Sequence, residues 1–163
     1  MRRQQSGELI RLLRAGGVDF VLIGGVAANL YGANHATFDV DVLMPFTEAN
    51  WARAIAALEP IQPTFHGHGG RIPLHRDPKA LIPFRMVLLD TLLGRLDILR
   101  EIPGGTYADL APRAISVTAF DGALQVLALD DLIESKAFLM REKDKPAVIE
   151  LKAIRERLRA GIE

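Results

Sequence analysis

The sequence predicts an α+β protein: a small mixed β-sheet with helices packed on it and a short helical part at the C-terminal end. Three observations carry that reading. Strand-like apolar runs at 18–23 and 38–44 are separated by a glycine pair and a short helical stretch. Two further strand-like runs, 84–90 and 94–99, are joined by three residues, which predicts a hairpin. From residue 130 onward the apolar residues recur at helical spacing.

In chain order, residues 6–15 read as a helix with Leu9, Leu12 and Leu13 on one face, stopped by Gly16-Gly17. Residues 18–23 read as a buried strand that breaks at Gly24-Gly25, and 26–32 as a short helix ending at Gly32. The strand 38–44 alternates acids with apolar residues, and a helix over 47–58 takes Thr47 or its predecessor as cap. Residues 60–83, rich in proline, histidine and glycine, read as loop with short strand pieces. After the 84–99 hairpin, 114–120 and 123–128 predict a second hairpin around Asp121-Gly122. In the helical end, Asp131 and Glu134 have capping-box spacing, Ile133, Ala137 and Met140 share a face, and Leu151, Ile154 and Leu158 share another. The expected organisation is one compact domain, a core at 1–128 with helices 129–163 packed on it.

The 163 residues suffice for one core of ordinary size. Lysine plus arginine balance aspartate plus glutamate at 20 each, which argues against a protein that coats nucleic acid through a broad basic surface. Cysteine is absent, so disulfides and thiolate metal sites are excluded. No apolar run approaches the roughly 20 residues that span a bilayer, and the Arg-rich start lacks the apolar stretch and cleavage site of a signal peptide. A cytoplasmic location and no membrane partner are the expectation.

Asp39 and Asp41 stand two apart in a strand, so their side chains share a face about 6 to 7 Å apart. Two carboxylates on an otherwise apolar strand require a cationic partner. Asp97, between Leu96 and Ile98 in a strand placed to lie beside 38–44, adds a third. Such an oxygen cluster suits magnesium or manganese (Mg2+ or Mn2+) and transfer of phosphoryl or nucleotidyl groups. Gly24-Gly25 follows a strand and opens a helix, a turn whose free N–H groups and missing side chains admit phosphate. It is neither a Walker loop nor GxGxxG.

Gly24-Gly25, then Thr37-Phe38-Asp39-Val40-Asp41, then Asp97 resemble the DNA polymerase β-like nucleotidyltransferase superfamily. Asp130-Asp131-Leu132-Ile133, Ser135-Lys136, Arg141 and Lys143-Asp144 look like the subset of AbiEii toxins, the nucleotidyltransferase halves of type IV toxin–antitoxin pairs. The likeness spans roughly residues 18 to 151. It implies a nucleotidyltransferase-like fold and transfer of a nucleoside monophosphate from a nucleoside triphosphate to a hydroxyl of RNA, protein or a small molecule. Gly24, Gly25, Thr37 and Lys136 would bind nucleotide or phosphate, Asp39, Asp41 and Asp97 would bind metal, and Asp97 would act as general base. An antitoxin protein would be a partner. His35 stands where the subset often carries arginine, which leaves open a non-catalytic member that binds nucleotide or a partner.

Of the remaining polar residues, His66, His68 and His75 lie in a loop too irregular for a zinc frame, and Arg71, Arg76, Lys79 and Arg85 make 71–85 locally basic, a guide for an RNA end or a solvated loop. Lys136 and Lys143, seven apart, are spaced to share a helix side, and Arg141 is spaced to pair with Asp144. A haloacid-dehalogenase-type phosphatase also uses Asp-x-Asp, but its acids follow the first strand without a preceding glycine turn.

Overall fold

The computed structural model describes residues 3–139 and 141–161. Helix α1 (Ser6–Ala15) leads to β1 (Val21–Ile23), α2 (Gly24–Leu30), β2 (Asp39–Leu43) and α3 (Glu48–Leu58). A single 3-10 turn precedes β3 (Thr64–Phe65), followed by α4 (Pro78–Leu81), β4 (Met86–Thr91) and β5 (Gly94–Leu99). A small ribbon, β6 (Glu101–Ile102) and β7 (Gly105–Thr106), leads through α5 (Tyr107–Leu110) to the hairpin β8 (Ile115–Ala119) and β9 (Gly122–Val126). Helices α6 (Leu129–Leu139) and α7 (Lys145–Arg159) close the chain.

Seven strands form one mixed sheet in the order β3-β4-β5-β2-β1-β9-β8. The pairs β1–β2, β3–β4, β4–β5 and β8–β9 are antiparallel, whereas β2–β5 and β1–β9 are parallel. Alternation along the strands sorts residues between two faces. Val40 and Val42, Leu96 and Ile98, Val87 and Leu89 are buried, and they join α1 (Leu9, Ile10, Leu13) and α3 (Trp51, Ala54, Leu58) in one apolar cluster. Their neighbours Asp39, Asp41, Arg95, Asp97 and Leu88 point to the opposite face and stay half-buried. That second face, across β2, β5 and β4, is the open face. Leu132, Ile133, Leu151 and Ile154 tie α6 and α7 into the same core.

Local signals explain most boundaries. Gly17, at φ 71°, ends the α1 turn in a conformation that favours glycine. Thr47 caps α3 by accepting from the Asn50 N–H at 3.2 Å. The second hairpin turns one residue earlier than its glycine suggests. Phe120 and Asp121 occupy the two left-handed positions, at φ 52° and 65°, and Gly122 already pairs with Ala119. Arg14 offsets that strain by donating to the carbonyls of Ala119, Phe120 and Ala123.

Several helical expectations are corrected. Helix α6 starts at Leu129, so Asp131 lies inside it, and its carboxylate accepts two hydrogen bonds of 3.0 Å from Arg113 instead of capping. Ala137 is exposed beside buried Ile133, and Met140 lies outside the described residues. Leu151 and Ile154 are buried but Leu158 is 56% exposed, because α7 outruns its neighbour. Lys143 falls in a separate 3-10 turn (Glu142–Asp144), not on the helix of Lys136.

Candidate active site

The parallel pairing of β2 with β5 sets Asp41 directly beside Asp97 and Asp39 beside Arg95. Each of the three aspartates contributes a carboxylate oxygen, and these oxygens lie within 4.8 Å of one another. Among the described residues this is the one such cluster of metal-ligating side chains. Like charges so close cannot all ionise without a cation. Burial, then the charges of Asp39 and Asp97, push the Asp41 carboxyl from its ordinary 3.8 up to about 7, against the pull of Lys136. Burial also raises Asp97, opposed by the Arg95 guanidinium, whose Nε donates to Asp97 Oδ1 at 3.1 Å. Three hard oxygen donors in a half-buried setting with excess negative charge fit a divalent cation such as Mg2+ or Mn2+.

The glycine turn is packed against these acids. Gly24 has φ +71°, and a Cβ there would fall 2.2 Å from Asp41 Oδ2. A Cβ at Gly25 would fall 2.8 Å from Thr37 Cγ2. The two glycines therefore let the start of α2 approach Asp41 and Thr37 closely, and the sequence order strand–glycine–helix is what produces that approach.

Lys136 approaches from α6. Its Nζ lies 3.9 Å from Asp144 Oδ1, and Asp144 also accepts from Arg141 Nε. Burial lowers the Lys136 ammonium pKa, while Asp144 and Asp41 oppose that loss of its proton. The structure thus places Lys136 in the field of Asp41, and Thr37 against the turn. The basic side chain meets a cavity of about 280 Å³ walled by Ala137, Val148 and Ile149 and rimmed by Arg141 and Lys145.

His35 is elsewhere. Its Nε2 lies 2.8 Å from Glu150 Oε2 on α7, and its backbone exchanges hydrogen bonds of 2.8 and 3.1 Å with the Asn29 side chain. Glu150 also accepts from the Asn34 N–H. His35 fastens the loop before β2 to α7. His66 pairs with Asp90, and His75 packs with Phe65 and Phe84 in a three-ring cluster. Arg95 and Asn29 went unread in the sequence, whereas the Arg141–Asp144 pair expected from spacing forms. Arg95 was findable, because a cation two residues before Asp97 in a strand must share its face.

No protein-family model matches the sequence, and no curated protein matches it. Among solved structures the chain is similar to the crystal structure of the lincosamide antibiotic adenylyltransferase LnuA bound to lincomycin. The TM-score is 0.53 at 16% identity, over 90% of this chain and 94% of that one. The fold is nucleotidyltransferase-like. It is the α+β arrangement, a mixed sheet with flanking helices, that the sequence predicts. No helix of the described residues is long and apolar enough to cross a membrane.

Proposed function

We propose that this chain transfers a nucleoside monophosphate from a nucleoside triphosphate to a hydroxyl acceptor, with a divalent cation held by Asp39, Asp41 and Asp97. The observation that carries the reading is the convergence of these carboxylates beside a side-chain-free turn, on a fold shared with an enzyme named for adenylyl transfer. Magnesium or manganese, when bound, supplies Lewis acidity and charge neutralisation to the phosphate oxygens.

The chain's own residues do the rest. Gly24 and Gly25 let the start of α2 close on Asp41 and Thr37, so that the backbone N–H groups of the turn would meet the phosphates beside the acids. Lys136, whose ammonium is disfavoured by burial and favoured by Asp144 and Asp41, offers its charge to the triphosphate. Asp97, raised above an ordinary carboxyl, takes the proton of the acceptor hydroxyl. The acceptor oxygen then bonds to the α-phosphorus, the bond from that phosphorus to the bridging oxygen breaks, and pyrophosphate leaves.

The test titrates each labelled triphosphate with magnesium against wild type and the Asp39→Ala/Asp41→Ala double variant. Metal-dependent binding lost in the variant supports the site, and label transfer supports the enzyme. No binding of any triphosphate, with both proteins equally stable, would sink the assignment. Binding without transfer to any offered acceptor would favour the non-catalytic alternative, for which retention of all three acids supplies no reason.

The resemblance to AbiEii toxins supports a second reading, in which RNA is the acceptor and an antitoxin is a partner. The exposed Arg71, Arg76, Lys79 and Arg85 favour it. Growth arrest on expression, lost with Asp39→Ala, is its test.

A further inference from the structure

One cross-sheet row joins the acids to a residue pair that neither the fold nor the transfer step uses. Asp41 pairs with Asp97, and Asp97 pairs with Leu88. His66 continues the pairing of β3 with β4, donating its N–H to the Leu88 carbonyl at 2.9 Å. Residues paired across strands project from the same face, so Asp41, Asp97, Leu88 and His66 stand in line on the open face. With strands about 4.8 Å apart, His66 is roughly 10 Å from Asp97, with half-buried Leu88 between them. Met86, 53% exposed, and Leu99 extend the apolar floor.

His66 is oriented, not loose. Its Nδ1 lies 2.9 and 3.0 Å from the two Asp90 oxygens, so Nδ1–H donates to the carboxylate, and in the neutral ring Nε2 is the acceptor. The side chains are 41% and 46% exposed, where such a pair contributes little to stability. The charge of the face is one-sided. On the strands themselves Asp39, Asp41, Asp90 and Asp97 share it with Arg95, which is already tied to Asp97, while Lys136 reaches Asp41 from α6 and the basic residues of 71–85 lie in the segment between β3 and β4. A cation at the triad would leave Asp90 negative at the far end.

We infer that the open face of β5, β4 and β3 seats the acceptor, that His66 and Asp90 grip its far end, and that the acceptor is a small hydroxylated amine. The inference rests on the transfer reaction proposed above. The reacting hydroxyl lies at Asp97, a ring-sized body covers Leu88, and a second hydroxyl or ammonium group donates to His66 Nε2 beside Asp90. The carboxylate at the far end repels a phosphate backbone, so RNA is the disfavoured occupant.

The test is amide NMR of the full chain with magnesium and a non-hydrolysable ATP analogue, titrated with glucosamine, glucose and a short RNA oligonucleotide. Glucosamine is expected to shift the amides of His66, Leu88 and Asp97. His66→Ala is expected to weaken it about five- to tenfold, the loss of one hydrogen bond. Asp90→Asn should weaken glucosamine more than glucose. The nucleotide-induced shifts of Gly24 and Gly25 should be the same in both variants. If glucosamine leaves the three amides unmoved, or binds His66→Ala equally well, while nucleotide still shifts Gly24 and Gly25, the acceptor seat is overturned and the transfer reading stands. Absence of the nucleotide shifts overturns both. RNA shifting these amides at lower concentration than glucosamine also overturns the inference.

Discussion

Replacing Asp41 with asparagine is expected to stabilise the metal-free protein above neutral pH. Burial, reinforced by Asp39 and Asp97, raises the Asp41 carboxyl from 3.8 to about 7. A group whose pKa is higher folded than unfolded binds its proton more tightly in the folded chain. Its contribution to stability is therefore complete below the unfolded value and is lost as the pH rises through the folded one. At about 1.36 kcal/mol per unit, a rise from 3.8 to about 7 costs on the order of 4 kcal/mol by about pH 8. For a chain of this length that is roughly 10 °C in Tm. The substituted asparagine carries no charge to desolvate, and its amide can donate to Asp97. Thermal unfolding in EDTA, followed by circular dichroism from about pH 4.5 to about pH 8.5, reads the difference between the two proteins, in which titrations away from the three acids cancel. The gap should be smallest at the acid end and widen in favour of Asp41→Asn toward the alkaline end. Magnesium should narrow it by stabilising wild type, by about 2.7 kcal/mol at a hundredfold excess over Kd. A gap that does not change with pH, or a variant less stable than wild type at the alkaline end in EDTA, would refute the reasoning.

Gly25→Ala should lower Tm and triphosphate affinity, and a second change, Thr37→Ser, should recover much of both, because the clash is with Thr37 Cγ2; melting and binding on the four proteins of that cycle check it. Arg95→Met removes the cation that holds Asp97 down, so the Asp97 carboxyl rises and the acid limb of the transfer rate moves to higher pH, read from a pH–rate profile. Lys136→Met should weaken triphosphate binding at least tenfold, the loss of a charge-assisted contact, measured by calorimetry. Trp51→Ala, at a fully buried position in the core, should cost about 3 to 5 kcal/mol in chemical denaturation without altering the fitted triphosphate affinity of the folded fraction.

What the sequence disclosed was what local chemistry governs. Alternation in 38–44 put Asp39 and Asp41 on one face because a strand has no other option, and the spacing of 84–90 and 94–99 left room only for a hairpin. The glycine pair announced a close approach, though not that the approaching groups would be Asp41 and Thr37. Partnerships across the chain stayed hidden. Nothing near Lys136 says that the chain will bring Asp144 back to it, and nothing near His66 names Asp90. Helical periodicity grouped Ile133 with Ala137 and Ile154 with Leu158, but it cannot say where the covering neighbour ends, so the outer member of each pair is exposed. The Asp131 cap failed because Arg113, from before the second hairpin, claims that carboxylate.

The strands that carry the acids have a consequence for how the gene can vary. Along β2 and β5, core residues and open-face residues alternate one by one, Val40 after Asp39, Ile98 after Asp97. Inserting or deleting a single codon in either strand would turn its carboxylates, two in β2 or one in β5, into the oil-like interior and its core residues toward water in one stroke. Point substitutions on the open face, at Leu88 or Met86, disturb neither neighbour in the chain. Such a protein is intolerant of length change in two short segments and permissive of side-chain change beside them, so the open face can vary by single-base substitution while the three acids keep their register.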